Sequence, residues 1–178
     1  MAGDEHLRLF CALCLPGDVV DGIVEWQSRE LRGGRLVPPG NLHVTLAFLG
    51  RRPAAELPLV AGALREAAVG AGGLRLRLRG YRETRSVAML TFEDEGGRAT
   101  ALAERLQVRL EALGVYRREG RPWLPHVTVL RFRDRPHLSP ALPGLPAEVV
   151  PSDAAVFISR LRRGGAEYES VEAVALGG

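Results

Sequence analysis

Two short stretches hold the residues best suited to chemistry. His43 and Thr45 stand two residues apart in Asn41-Leu42-His43-Val44-Thr45-Leu46-Ala47-Phe48-Leu49-Gly50, and the same spacing returns at His126 and Thr128 in Leu124-Pro125-His126-Val127-Thr128-Val129-Leu130-Arg131. Both frames are apolar and β-branched and follow proline-containing turns, so both read as strands. Side chains alternate faces along a strand, which turns each His and its Thr to one side and their apolar neighbours to the other. An isolated histidine in such a setting is more often a hydrogen-bonded core residue, but a matched pair is harder to explain that way. Imidazole has an ordinary pKa of about 6.5, so facing histidines can divide labour, one neutral as base and one protonated as acid. Thr hydroxyls beside them can donate to an anionic centre. This set suits phosphodiester cleavage, in which a nucleophile loses a proton while a leaving oxygen gains one. Zinc is the weaker reading, because it wants three or four ligands and neither stretch has a nearby Asp, Glu or Cys. His6 and His137 lie in terminal and Pro-flanked contexts without a Thr partner and read as surface residues.

The two histidines are 83 positions apart in a chain of 178 residues, which suggests two similar halves, each contributing one His-x-Thr strand to a shared site. The elements around them fit that cadence. Residues 7 to 15 read as a strand, and Asp18 is a candidate N-cap for a helix over 19 to 32, where Val19, Val20, Ile23 and Trp26 recur at helical spacing. A short extended piece, Arg35-Leu36-Val37, leads into the His43 strand. Residues 54 to 69 form a second amphipathic helix. Residues 74 to 79 alternate Leu and Arg as a half-exposed strand, whose arginines are better explained as solvated edge charges than as an RNA contact. Ser86 to Phe92 is a further strand, Gly96-Gly97 precedes a helix over 98 to 113, and Gly120-Arg121-Pro122 turns into the His126 strand. Residues 134 to 151 are proline-rich and irregular, although Glu148-Val149-Val150 could begin a strand. Residues 154 to 162 and 168 to 176 read as a hairpin around Gly164-Gly165. The expected architecture is a two-lobed single domain over 1 to 178, α+β or α/β, with helices packed outside the sheets.

Composition narrows the class. Hydrophobic residues make up 46% and charged residues 25%, as in a globular protein, and no apolar run approaches the roughly 20 residues of a membrane span. With no signal-like N-terminus, the expected location is the cytoplasm. The net charge is +3 and all 24 basic residues are Arg. Guanidinium suits phosphate, yet the absence of Lys reads first as a composition bias. Cys11 and Cys14 form a C-x-x-C inside a strand-like run, which sends them to opposite faces and favours two buried free thiols over a redox or zinc pair.

Taken together, Arg8-Leu9-Phe10, Leu15-Pro16, the stretch Val37 to Gly50 and the stretch Arg121 to Arg131 resemble the 2H phosphoesterase superfamily. Within it the chain is most similar to the RNA 2′,3′-cyclic phosphodiesterases, also called 2′-5′ RNA ligases. Ser159-Arg160-Leu161 with Gly165-Ala166-Glu167-Tyr168-Glu169 resembles their C-terminal hairpin, so the likeness spans nearly the whole chain. The resemblance implies an α+β bilobal fold, two pseudo-symmetric lobes of antiparallel sheet with outer helices around a central cleft. It also implies metal-independent hydrolysis of a terminal 2′,3′-cyclic phosphate to a 2′-phosphate, without a cofactor, and a reversible 2′-5′ ligation. By carry-over His43 protonates the leaving 3′ oxygen and His126 activates water, although near-symmetric motifs allow the labels to be exchanged. Thr45, Thr128 and Arg131 hold the phosphate, and Arg131 needs a bulge or strand end to reach it, since a regular strand would turn it away from His126. Cys11 stands where relatives carry a second aromatic, which leaves Phe10 and Trp123 as candidate contacts to the substrate base. The implied partners are RNA ends or nucleotides bearing a 2′,3′-cyclic phosphate, bound by a monomer away from any membrane. The alternatives are a phosphodiesterase of small cyclic nucleotides and a non-catalytic RNA-binding module.

Overall fold

The computed structural model describes residues 5 to 177. Eight strands and three helices follow one another as β1 (His6–Cys14), α1 (Gly17–Glu30), β2 (Arg35–Leu36), β3 (His43–Pro53), α2 (Leu57–Ala68), β4 (Arg75–Glu83), β5 (Val87–Glu95), α3 (Arg98–Ala112), β6 (His126–Arg131), β7 (Asp153–Arg162) and β8 (Gly165–Ala175). They form two four-stranded sheets, ordered β3-β1-β7-β8 and β2-β6-β5-β4. Every strand pairing among the described residues is antiparallel. The fold is therefore α+β, with one His-x-Thr strand in each sheet.

The lobes are not the two halves of the chain. The C-terminal hairpin β7-β8 returns to pair with β1, while β2, from the N-terminal part, adds to the sheet of β6. Pattern and spacing report local periodicity, and they contain nothing about which distant strand a strand will join.

Each sheet turns one face to a shared core. Leu7, Leu9, Cys11 and Leu13 of β1 join Val44 and Leu46 of β3, Ala154 and Val156 of β7, and the inner stripes of α2 and α3. Ala88, Leu90 and Phe92 of β5 and Val127, Val129 and Leu130 of β6 continue it. The opposite faces keep His43, Thr45, His126 and Thr128, all half-buried.

Strand regularity is interrupted at one equivalent place in each sheet. Ala12 pairs with Thr45 but Cys11 with Ala47, so Leu46 is an extra residue. Met89 pairs with Thr128 but Ala88 with Leu130, so Val129 is an extra residue. Both bulges fall one position after the motif threonine, and a bulge leaves its carbonyl outside the regular ladder. A buried glutamine meets each one. Gln107 of α3 donates its amide to Leu46 O at 2.9 Å, and Gln27 of α1 donates to Val129 O at 2.8 Å and to Val37 O at 3.1 Å.

The expected N-cap is displaced by one residue pair. α1 begins at Gly17 with Pro16 in the capping position, and Asp18 lies in the first turn with no side-chain cap bond, where its charge still favours the helix dipole. α3 is capped from further upstream. Asp94 accepts from the Thr100 amide at 2.7 Å and the Ala99 amide at 3.3 Å, across Gly96 and Gly97, whose φ angles of 82° and 70° suit glycine.

The segment from 134 to 151 is irregular, and the strand expected at Glu148-Val149-Val150 reduces to a single bridge between Val149 and Leu76. It is fastened by Trp26, whose indole donates to Ala141 O at 2.6 Å, and by Glu83, which accepts from the Leu138 and His137 amides and from Arg135. Two arginines of β4 are occupied. Arg75 pairs with Glu148, and Arg77 with Glu93 and Glu95, as expected for charges on an exposed edge strand.

Replacing Gln107 with Leu removes the donor from a buried carbonyl, which costs about 1–3 kcal/mol. The expected readout is a melting temperature lower by roughly 2–4 °C for each kcal/mol, with an unchanged temperature ruling out the amide as the support of the β3 bulge.

Candidate active site

The two imidazoles are mounted alike. His43 Nδ1 lies 2.8 Å from Asn41 O, and His126 Nδ1 lies 2.9 Å from Leu124 O, each a carbonyl two residues upstream. A carbonyl can only accept, so each Nδ1 carries the proton and each Nε2 is the working nitrogen. His43 Nε2 is 2.9 Å from Thr45 Oγ1; in the neutral ring that nitrogen accepts from the hydroxyl.

His43 sits against an aromatic wall. Phe10 stacks on it at 4.9 Å, Tyr168 meets it edge-on at 5.4 Å, and Phe157 lies 6.3 Å away. Burial pushes its pKa down to about 4, and the charges of His126 and Arg131 push the same way, while the Asn41 carbonyl opposes them. Both named charges come from β6, so the imidazole of one sheet feels the motif of the other. Trp123 ties the sheets directly, its indole donating to Thr45 O at 2.9 Å.

The bulges decide what else reaches the cleft. In an unbroken strand the residue five after each His would point away; with one extra residue at Leu46 and Val129 it returns to the His face. In β6 this residue is Arg131, opposite Val87 and on the side of Thr128 and His126. In β3 it is Phe48, opposite Phe10. Phe48 is 51% exposed and lines a cavity of about 590 Å³ together with Thr45, Met89, Trp123, Leu124 and His126. Arg8 lies over its ring, 5.5 Å from the centroid.

Of the candidates from sequence, Thr45, Trp123 and His126 line one cavity, and His43 feels the charges of His126 and Arg131. Phe10 is 3% exposed and packed behind His43, so it has no free face for a base. Trp123 reaches the cavity wall but spends its N–H on the backbone of β3. Phe48, Phe157, Tyr168, Gln27 and Gln107 were not singled out from sequence. The two glutamines had a signal: each is a lone amide on the buried stripe of an apolar helix face. Phe48 had one too, since it stands at the same offset from His43 as Arg131 from His126.

The cysteines fall on opposite faces of β1. Cys11 is buried in the core and Cys14 is half-buried beside Asp153, both are free, and burial pushes each thiol up to about 12, which keeps both protonated. His137 is exposed, with a φ of 56°, and His6 is exposed at the start of β1.

The model of the 2′-5′ RNA ligase superfamily matches residues 16–176. This chain belongs to that family. It is 36% identical to an RNA 2′,3′-cyclic phosphodiesterase of Thermus thermophilus over 185 residues, covering 97% of this chain and 91% of the relative. An RNA 2′,3′-cyclic phosphodiesterase of Escherichia coli is 30% identical, with 97% and 98% covered. Among solved structures, E. coli LigT in apo form superposes with a TM-score of 0.84 at 26% identity, covering 98% of this chain and all of that one (100%). TT0787 of T. thermophilus superposes at 0.79 with 33% identity, covering 96% and 98%. The 2H phosphoesterase resemblance of the two motifs thus holds at the level of family and fold. No helix among the described residues is long and apolar enough to cross a membrane.

The depressed pKa of His43 gives a signed expectation. An anion seated between His43, His126 and Arg131 offsets their mutual repulsion and favours the imidazolium, so it raises the pKa. A proton-detected NMR titration should place the His43 midpoint near 4 in the free protein and move it toward neutral pH in inorganic phosphate. A midpoint indifferent to phosphate would mean that no anion binds beside this ring.

Proposed function

We propose that this protein hydrolyses terminal 2′,3′-cyclic phosphates of RNA to 2′-phosphates by two-histidine acid/base catalysis. The observation that carries the reading is the matched mounting of His43 and His126, one from each sheet, with Nδ1 held by a carbonyl and Nε2 left to act. The activity for which the Thermus and Escherichia relatives are named supports it.

The cyclic phosphate sits between the two Nε2 atoms. Thr45 and Thr128 donate their hydroxyls to its oxygens, and Arg131 offers a guanidinium fork, the geometry that suits phosphate best. Water attacks phosphorus and gives its proton to His126 Nε2, while the bond from phosphorus to O3′ breaks and O3′ takes the proton of His43 Nε2. The 2′ ester bond survives, which makes the product a 2′-phosphate. His43 starts neutral in the free protein and is recharged by the anion it receives. Thr45, bonded to His43 at rest, is released to the phosphate by the same event. If a 5′-hydroxyl replaces water, the same two transfers form a 2′-5′ linkage, the reaction for which the family is named.

The terminal nucleoside occupies the cavity lined by Phe48. An exposed aromatic ring backed by a guanidinium is a stacking platform for a base, and such stacking is worth about 1–3 kcal/mol. Phe10, Phe157 and Tyr168 instead form the dry wall that holds His43. A single chain builds the whole cleft, so the proposal is of a monomer, its 178 residues working as one unit on RNA ends such as those of cleaved tRNA, in the cytoplasm.

The test is hydrolysis of an oligoribonucleotide ending in a 2′,3′-cyclic phosphate. His43→Ala and His126→Ala should each lower kcat by at least about 100-fold, the usual weight of a general acid or base, and EDTA should leave the wild type unaffected. Undiminished turnover in either variant would refute the assignment.

A further inference from the structure

Some arginines of this protein, including Arg75 and Arg77 on β4, are paired with carboxylates, and others, spread over the molecule, have no ion pair among the described residues. Arg8, Arg51 and Arg117 have no ion pair among the described residues, and all three are exposed. They lie around one feature, the exposed ring of Phe48.

Arg8 covers the ring itself. Arg51 pairs with Arg8 across β1 and β3, and therefore shares the cleft face with it. This placement depends on a second bulge in β3, at Leu49, followed by Gly50 with a φ of 71°. Arg117 comes from the opposite side, on the segment after α3, and lines a second cavity of about 380 Å³ with Phe48, Leu49, Gly114 and Tyr116. Phe48 and Tyr116 line both cavities, so the two are neighbours separated by an aromatic ridge. Two guanidiniums opposite each other on neighbouring strands, neither with an ion pair among the described residues, cost stability unless an anion comes there.

We infer that this rim, Arg51 and Arg117 beyond Phe48, seats the internucleotide phosphate and the nucleotide next to the terminal one. It makes the protein prefer the end of an RNA strand over a free cyclic mononucleotide. The inference rests on the reading that the terminal nucleoside stacks at Phe48. With the cyclic phosphate at the histidines and the base on Phe48, the chain continuing from the terminal ribose leaves past that ring. Across the Leu49 bulge, Arg51 lies two ladder steps beyond Phe48, as Arg8 lies two residues from Phe10, about 7 Å at roughly 3.3 Å per residue. A cyclic mononucleotide has no phosphate there and gains nothing from these charges.

The experiment compares the wild type with Arg51→Glu/Arg117→Glu in the full chain, on a short oligoribonucleotide ending in a 2′,3′-cyclic phosphate and on 2′,3′-cyclic AMP. At low salt kcat/KM for the oligonucleotide should fall about tenfold or more while that for cyclic AMP stays within about twofold, since the lost contacts are phosphate contacts. Arg51→Lys/Arg117→Lys, which keeps the charge, should retain most of the oligonucleotide rate. Equal losses on both substrates, or no loss on either, would overturn the inference. Fluorescence anisotropy with the same oligonucleotide ending in a 3′-hydroxyl provides a reading independent of turnover. A wild type that cleaves neither substrate defeats the proposed activity alone, whereas equal oligonucleotide affinity of wild type and double Glu variant defeats the rim.

Discussion

A buried amide on a displaced carbonyl, repeated once in each sheet, is the contact on which the site depends. β-strands alternate strictly, so a strand can present His and Thr two residues apart but turns the residue five after His away from them. The bulges at Leu46 and Val129 break that alternation one position after each threonine. Gln107 and Gln27 hold the carbonyls that the bulges set free. Without the bulges, Phe48 and Arg131 would be driven into the core and two apolar side chains would be pushed into the cleft.

The same device produces different chemistry on its two sides because the residue at the recovered position differs. In the β6 sheet it is a guanidinium, which adds positive charge beside both imidazoles; in the β3 sheet it is an aromatic ring open to a cavity of about 590 Å³. His43 has Phe10, Phe157 and Tyr168 around it, and burial pushes its pKa down to about 4. Two alike motifs therefore stand in unlike surroundings. The hairpin β7-β8 contributes to this asymmetry, bringing Phe157 and Tyr168 to His43 and accepting, through Ala166 O, a 2.7 Å bond from Asn41.

Much of this was legible in the sequence, and its limits have a physical cause. The paired motifs, the helix expected over 98 to 113 and the terminal hairpin rest on local periodicity and turn residues, and the structure has α3 at Arg98–Ala112 and β7-β8 around Gly164-Gly165. Strand partnership was not legible: the expectation of two sequence halves gave way to sheets that exchange β2 and β7-β8. That Phe10 is buried while Phe48 stands exposed was not legible for a related reason. Period-two logic puts Phe48 on the core side, and only a bulge reverses it. Arg131 and Phe48 alike share the face of their histidine only because a bulge intervenes.

The most direct test of the account is a crystal structure with a 2′-nucleotide bound. The expected result is a phosphate between the Nε2 atoms of His43 and His126, within hydrogen-bond reach of Thr45, Thr128 and Arg131, with the base on Phe48. A phosphate that misses Arg131, or a base stacked anywhere other than Phe48, would contradict the claim that the two bulges assemble the site.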